Sequence, residues 1–135
     1  MPLLVDTGVL YALADRTDRW HDRSVAWLAK ARERLLIPVT VLPEITYLLH
    51  TRLGARAERA FVGSVTAREV DVECVRDRDL ARAAELLEQY PHVGFVDATV
   101  VAIAERLKLT SIATTDRRHF ATIVPKHAPA FELVP

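Results

Sequence analysis

Apolar and polar positions along the chain fall into blocks, and each block carries the period of one kind of element. The run LLVD, Leu3 to Asp6, reads as a short buried strand that ends in an acid. TGVLYALA follows as a first helix with Thr7 near its start. A longer amphipathic helix is expected from about Asp18 to Arg34, with Trp20, Val25, Trp27, Leu28 and Ala31 on one face. RLLIPV holds a second strand, around Leu35 to Val39. TVLPEITYLLHTRLG then reads as a helix from Thr40, with Pro43 in its first turn, where a missing N–H does no harm, and Gly54 as its stop. A further helix spans about Ala55 to Ala67. EVDVECV is a third strand whose alternation suggests one polar face. From Asp77 or Asp79 to Tyr90 the pattern is helical again, until Pro91 to Gly94 breaks it. FVDATVVAIAERLKL is the clearest helix, SIATTD a short strand ending in Asp116, and FELV a last strand. Strands alternating with helices imply a mostly parallel sheet covered on both faces, a three-layer α/β/α sandwich.

The chain has 135 residues, the length of one ordinary domain. Half of them are hydrophobic, enough for a core without disulfides or structural zinc. The single cysteine, Cys74, suits a reducing cytosol and reads as a small buried hydrophobe rather than a reactive thiol. No apolar run reaches the ~18 residues of a membrane span, and the start MPLLVDT is not a secretory signal. The expected setting is cytoplasmic. Basic and acidic residues balance at 18 each, so nucleic-acid binding would need a local basic rim.

The informative acids stand where the apolar pattern gives no reason for charge. Asp6 and Asp116 end strands, and the carboxyl ends of parallel strands line the ligand crevice of such sheets. Asp97 opens a strongly apolar helix, and Glu44 lies amid VLPEITYLL in the first turn of the helix after strand two. Each has a plainer reading as a cap or turn former. Four carboxylates gathered together, however, repel unless something neutralises them, and the natural agent is a hard divalent cation, magnesium or manganese. No His/Cys spacing suggests zinc. Thr7 and Thr115 adjoin key acids and would orient a carboxylate or a water, or bond locally to the backbone. His21 and His119 are acid–base candidates that also read as caps or packing groups, and Asp15 and Asp18 read as caps or turn formers. A phosphatase with an aspartyl nucleophile fits poorly: Gly8, not an acid, lies two positions after Asp6, and the chain has only three lysines.

The ordered set LLVDTGVLYAL, VLPEITYLL, FVDATVVAIAERL and SIATTDRRHF resembles the PIN domain, in particular the VapC-type toxins of bacterial toxin–antitoxin pairs. The resemblance covers essentially the whole chain, implying one PIN-like nuclease domain over residues 1–135 with the α/β/α fold. It places Asp6, Glu44, Asp97 and Asp116 at the acidic metal-site positions and Thr115 at a polar position beside the last acid. Family members often carry an acid in the region occupied here by Tyr90, Pro91 and His92, so no ligand is implied from that loop. The resemblance further implies magnesium- or manganese-dependent hydrolysis of RNA, a small antitoxin that blocks the site, and a homodimer. Arg117 and Arg118, just past the last acid, are candidate contacts to substrate phosphate. The alternative is a catalytically silent PIN-fold module that acts through a protein partner.

Overall fold

The computed structural model describes all 135 residues. Five strands form one parallel sheet in the order β3-β2-β1-β4-β5: β1 (Leu3–Val5), β2 (Leu35–Pro38), β3 (Asp71–Glu73), β4 (Ser111–Ala113) and β5 (Glu132–Val134). From β1 the chain passes through α1 (Thr7–Ala14) and α2 (His21–Lys30) to β2. It continues through α3 (Val41–Leu53) and α4 (Ala55–Thr66) to β3. Both steps run the same way across the sheet, so right-handed crossovers put these four helices on one face. The chain then returns past β1 to β4 through α5 (Asp77–Gln89) and α6 (Phe95–Leu107), which occupy the opposite face. Packing agrees: α1 lies against α2 and α3, α3 against α4, and α5 against α6, with α6 over β2. The result is the expected three-layer α/β/α sandwich. The winding reverses between β1 and β4, and the crevice at their carboxyl ends is where such sheets bind ligands.

Burial explains why these elements form. Strands β1 and β2 are buried throughout, as sheets covered on both faces require. Seven consecutive residues of α6, Ala98 to Ala104, are buried, so this helix is the centre of its layer. Gly54 closes α3 at φ 99, a conformation open to glycine, and its N–H reaches the carbonyls of Leu49 and His50.

The structure corrects several expectations. The helix expected over Asp18–Arg34 is only His21–Lys30. Asp15 accepts from the Thr17 N–H and hydroxyl and Asp18 from the Trp20 N–H, side-chain turns that hold residues 15–20 out of the helix. Its expected apolar face is borne out in part: Trp20, Trp27 and Ala31 are half-buried with Trp27 packed on the core, but the fully buried position is Ser24, and Val25 and Leu28 are exposed. Strand β3 is a three-residue element with all residues half-buried, and Cys74, just beyond it, is exposed rather than buried. Strand β4 stops at Ala113, so Asp116 stands in the loop beyond it and caps a short helix, α7 (Arg117–Phe120), that periodicity did not reveal.

Paired charges fasten α5 to α6. Arg106 Nε lies 3.0 Å from Asp79 Oδ1, with the two side chains 6% and 1% exposed, and its Nη2 reaches Glu73 and the Cys74 carbonyl. Arg82 Nε lies 2.6 Å from Glu105. Arg106→Ala leaves the Asp79 carboxylate buried without its partner and is expected to cost about 3 kcal/mol. The urea unfolding midpoint reads this, and an unchanged midpoint would refute it.

Candidate metal centre

Asp6 is the residue that follows β1 and caps α1. Its N–H donates to the Ala113 carbonyl at 2.9 Å, extending the β1–β4 ladder by one residue at the point where the winding reverses. Its side chain, in a residue only 5% exposed, accepts from the Thr7 N–H at 2.8 Å and from the Thr114 hydroxyl at 3.0 Å. The fully buried Thr114 Oγ1 also accepts from the Asp116 N–H at 2.9 Å. One hydroxyl therefore ties together two acids that follow different strands. Thr114, not its neighbour Thr115, is the threonine that the hydrogen bonds place between these acids.

Asp116 takes the His119 N–H on Oδ1 at 3.2 Å and the His119 ring Nδ1 on Oδ2 at 2.7 Å. The His119 ring lies 5.4 Å from that of His92, whose Nε2 meets the Thr122 hydroxyl at 2.8 Å. Asp97 lies in the first turn of α6, behind Gly94 as N-cap, so it is not the cap itself. Asp97, Asp116 and His119 offer ligand atoms all within 4.8 Å of one another. Glu44, exposed in the first turn of α3, is reached by the Thr7 hydroxyl, so Thr7 orients a carboxylate as expected.

The neighbouring acids act on Asp97 and Asp6. Burial foremost pushes the Asp97 carboxyl up to about 7, with Asp6, Asp116 and Glu44 adding repulsion and His119 opposing it. Burial likewise pushes Asp6 up to about 6 against the hydrogen bonds from Thr7 and Thr114, with Glu44 and Asp116 again adding repulsion. Asp97, Asp116 and His119 are the groups whose ligand atoms come within reach of one shared ion; Asp6 and Glu44 are near enough to add repulsion but do not join that cluster, and a hard divalent cation would offset the repulsion.

The remaining candidates are dispersed. Thr115 packs against α1: a Cβ on Gly8 would stand 2.0 Å from its Oγ1 and 3.3 Å from its Cβ. That close approach is why the second position after Asp6 carries no side chain. Arg117 does not reach into the acids; its guanidinium lies over the Trp20 ring and donates to the Pro135 carbonyl. Arg118 is exposed. The His21 Nδ1 donates to the Ala12 carbonyl at 2.7 Å, a packing role, and Asp15 and Asp18 form turns.

Comparison with known proteins places this geometry. The family model described as PIN domain matches residues 3–124. Ribonuclease VapC26 of Mycobacterium tuberculosis (strain ATCC 25618 / H37Rv) is 27% identical over 135 residues, 98% of this chain and 100% of that protein. The crystal structure of Mycobacterium tuberculosis VapC20, described as a sarcin-ricin loop cleaving toxin, superposes with a TM-score of 0.81 at 26% identity, over 87% of this chain and 92% of that one. A toxin–antitoxin complex from Klebsiella pneumoniae shares the fold, with a TM-score of 0.71 at 18% identity over 90% and 92% of the two chains.

Two outcomes are expected. Both raised carboxyls favour folding in their protonated forms, so their contribution is full below about pH 4 and lost as pH rises through 6 and 7. In chelator, Asp97→Asn should therefore melt above the parent chain at pH 8, by about 4 °C, and the gap should close toward pH 4. Equal melting at pH 8 would show that the acids do not strain the fold. Separately, Thr114→Val should weaken manganese binding about 10- to 100-fold by calorimetry, the usual cost of removing a group that orients ligands. Unchanged affinity would mean that Thr114 does not position the acids.

Proposed function

Because the chain belongs to the PIN domain family, we propose that it is a metal-dependent endoribonuclease, the toxin of a VapBC-type toxin–antitoxin pair. In this reading residues 1–135 form one nuclease domain in a cytoplasmic setting, and Asp6, Glu44, Asp97 and Asp116 are its metal-binding and catalytic set. The observation that carries the reading is the convergence of these acids, with no protein group donating a hydrogen bond to Asp97. Asp97, Asp116 and Asp6 would hold magnesium or manganese, with Glu44 ligating or orienting the attacking water. When bound, such an ion lowers the pKa of water and stabilises negative charge on the phosphoryl group under attack. Thr114 fixes the spacing of Asp6 and Asp116, Thr7 aims Glu44, and His119 holds Asp116 at a set angle.

An antitoxin partner is supported by the toxin–antitoxin complex among the structures of the same fold. It is supported also by an apolar concavity of about 450 Å³ lined by Leu10, Leu13, Leu28, Leu49, Ala57 and Phe61. An apolar segment of the antitoxin would cover this groove. Homodimer formation goes with the exposed Tyr47 and Leu53 on α3. No helix is long and apolar enough to cross a membrane.

Purified chain incubated with total RNA and manganese or magnesium should yield discrete fragments, and chelator should abolish them. Asp6→Asn should lower the rate by about two orders of magnitude or more, the scale for losing electrostatic stabilisation of a transition state. A folded chain that neither cleaves RNA nor binds manganese would instead be a silent binding module.

A further inference from the structure

Three arginines converge on one indole, and one of them, Arg117, directly follows Asp116. The guanidinium carbons of Arg23, Arg117 and Arg19 lie 5.1, 5.6 and 5.9 Å from the centre of the Trp20 ring. No side-chain carboxylate stands within ion-pair distance of any of them; every ion pair in the chain lies elsewhere. Of the neighbouring acids, Asp18 is engaged by the Trp20 N–H, and Asp22 is exposed. Most arginines of the chain lack an acid partner, only Arg34, Arg82 and Arg106 being ion-paired, so what sets these three apart is that they gather on one aromatic ring. Arg117 is held in place by the Pro135 carbonyl, whereas Arg19 and Arg23 are exposed and have no acid partner, which leaves them open to an anionic ligand.

We propose that Trp20, Arg19, Arg23 and Arg117 form a platform for the RNA strand flanking the phosphate held at the acids. The proposal rests on the ribonuclease reading and extends it. Arg117 follows Asp116 directly, so the platform begins about 3.8 Å along the backbone from an acid of the centre. A strand with one phosphate at Asp97 and Asp116 continues over it. Each guanidinium offers forked donors to phosphate, and its plane is a surface on which an unpaired base stacks. Packing against the indole restricts these long side chains beforehand and so lowers the entropy lost on binding. Overall charge is zero, so attraction for RNA has to be local, and this patch supplies it. An acidic protein segment is the lesser fit, because the apolar groove suited to a partner has a different lining.

The test separates binding from cleavage by using the Asp6→Asn chain, in which asparagine retains the helix cap. A fluorescein-labelled single-stranded oligoribonucleotide is titrated by anisotropy across a salt series, and folding of each variant is checked by circular dichroism. Adding Arg19→Ala and Arg23→Ala should weaken binding at low salt at least about tenfold and lower the log–log salt slope by about 1.4, roughly 0.7 per lost phosphate contact. Arg56→Ala with Arg59→Ala, which removes the same charge from exposed positions on α4, should leave the slope in place. Equal behaviour of the two double variants would overturn the platform. So would unchanged RNA affinity together with lost binding of polyglutamate, which would assign the patch to an acidic protein. Metal-dependent cleavage by the unaltered chain reports on the nuclease reading independently, and stands even if the platform falls.

Discussion

Thr114 accepts a hydrogen bond from the backbone of one acid while donating to the side chain of another, and the site depends on this double engagement. Carboxylates in a half-buried crevice repel, and nothing in their own chemistry would hold them together. They stay because each is fixed by a structural necessity. Asp6 is pinned by the β1–β4 ladder and by its capping of α1, and Asp116 by its capping of α7. Asp97 is carried by a helix whose next seven residues are buried. Core packing and backbone hydrogen bonds thus supply the free energy that keeps the acids close, at the cost of carboxyls pushed well above their ordinary range. A cation that relieved this cost would meet a chain already shaped for it.

Much of this was legible in sequence because the acids break an apolar pattern. Asp6 after LLV, Glu44 within VLPEITYLL and Asp97 before ATVVAIA are charges where burial predicts none, and strand–helix alternation fixes which end of the sheet they share. Other features were hidden for definable reasons. Trp20 was placed on a helical face because periodicity counts apolar residues without seeing that Asp15 and Asp18 turn the backbone before it. Thr114 and Thr115 look alike in sequence, and only the hydrogen bonds of the folded chain show that Thr114 engages both Asp6 and Asp116. The one-turn helix α7 is too short for a periodic signal, although Asp116 and His119 have the spacing of neighbours on one turn. Cys74 reads as a buried small hydrophobe because free cysteine usually behaves as one, but β3 ends at Glu73 and leaves Cys74 exposed at the surface.

Charge is distributed unevenly despite a net of zero. On the α5–α6 side, arginines and acids are paired at short range and serve packing. At the crevice the two signs are kept apart, with acids gathered at the strand ends and arginines gathered on Trp20. A fold optimised for stability alone would let these two groups neutralise each other. Their separation leaves one patch suited to cations and an adjoining one suited to phosphate, and a nuclease needs both.

The most direct measurement is anomalous diffraction from crystals grown with manganese. The account expects a manganese peak among the oxygens of Asp6, Asp97 and Asp116 that disappears in Asp97→Asn. A well-ordered crystal at saturating manganese with no peak at those acids, or with peaks only on the outer surface, would contradict the claim that this crowding exists to hold a metal.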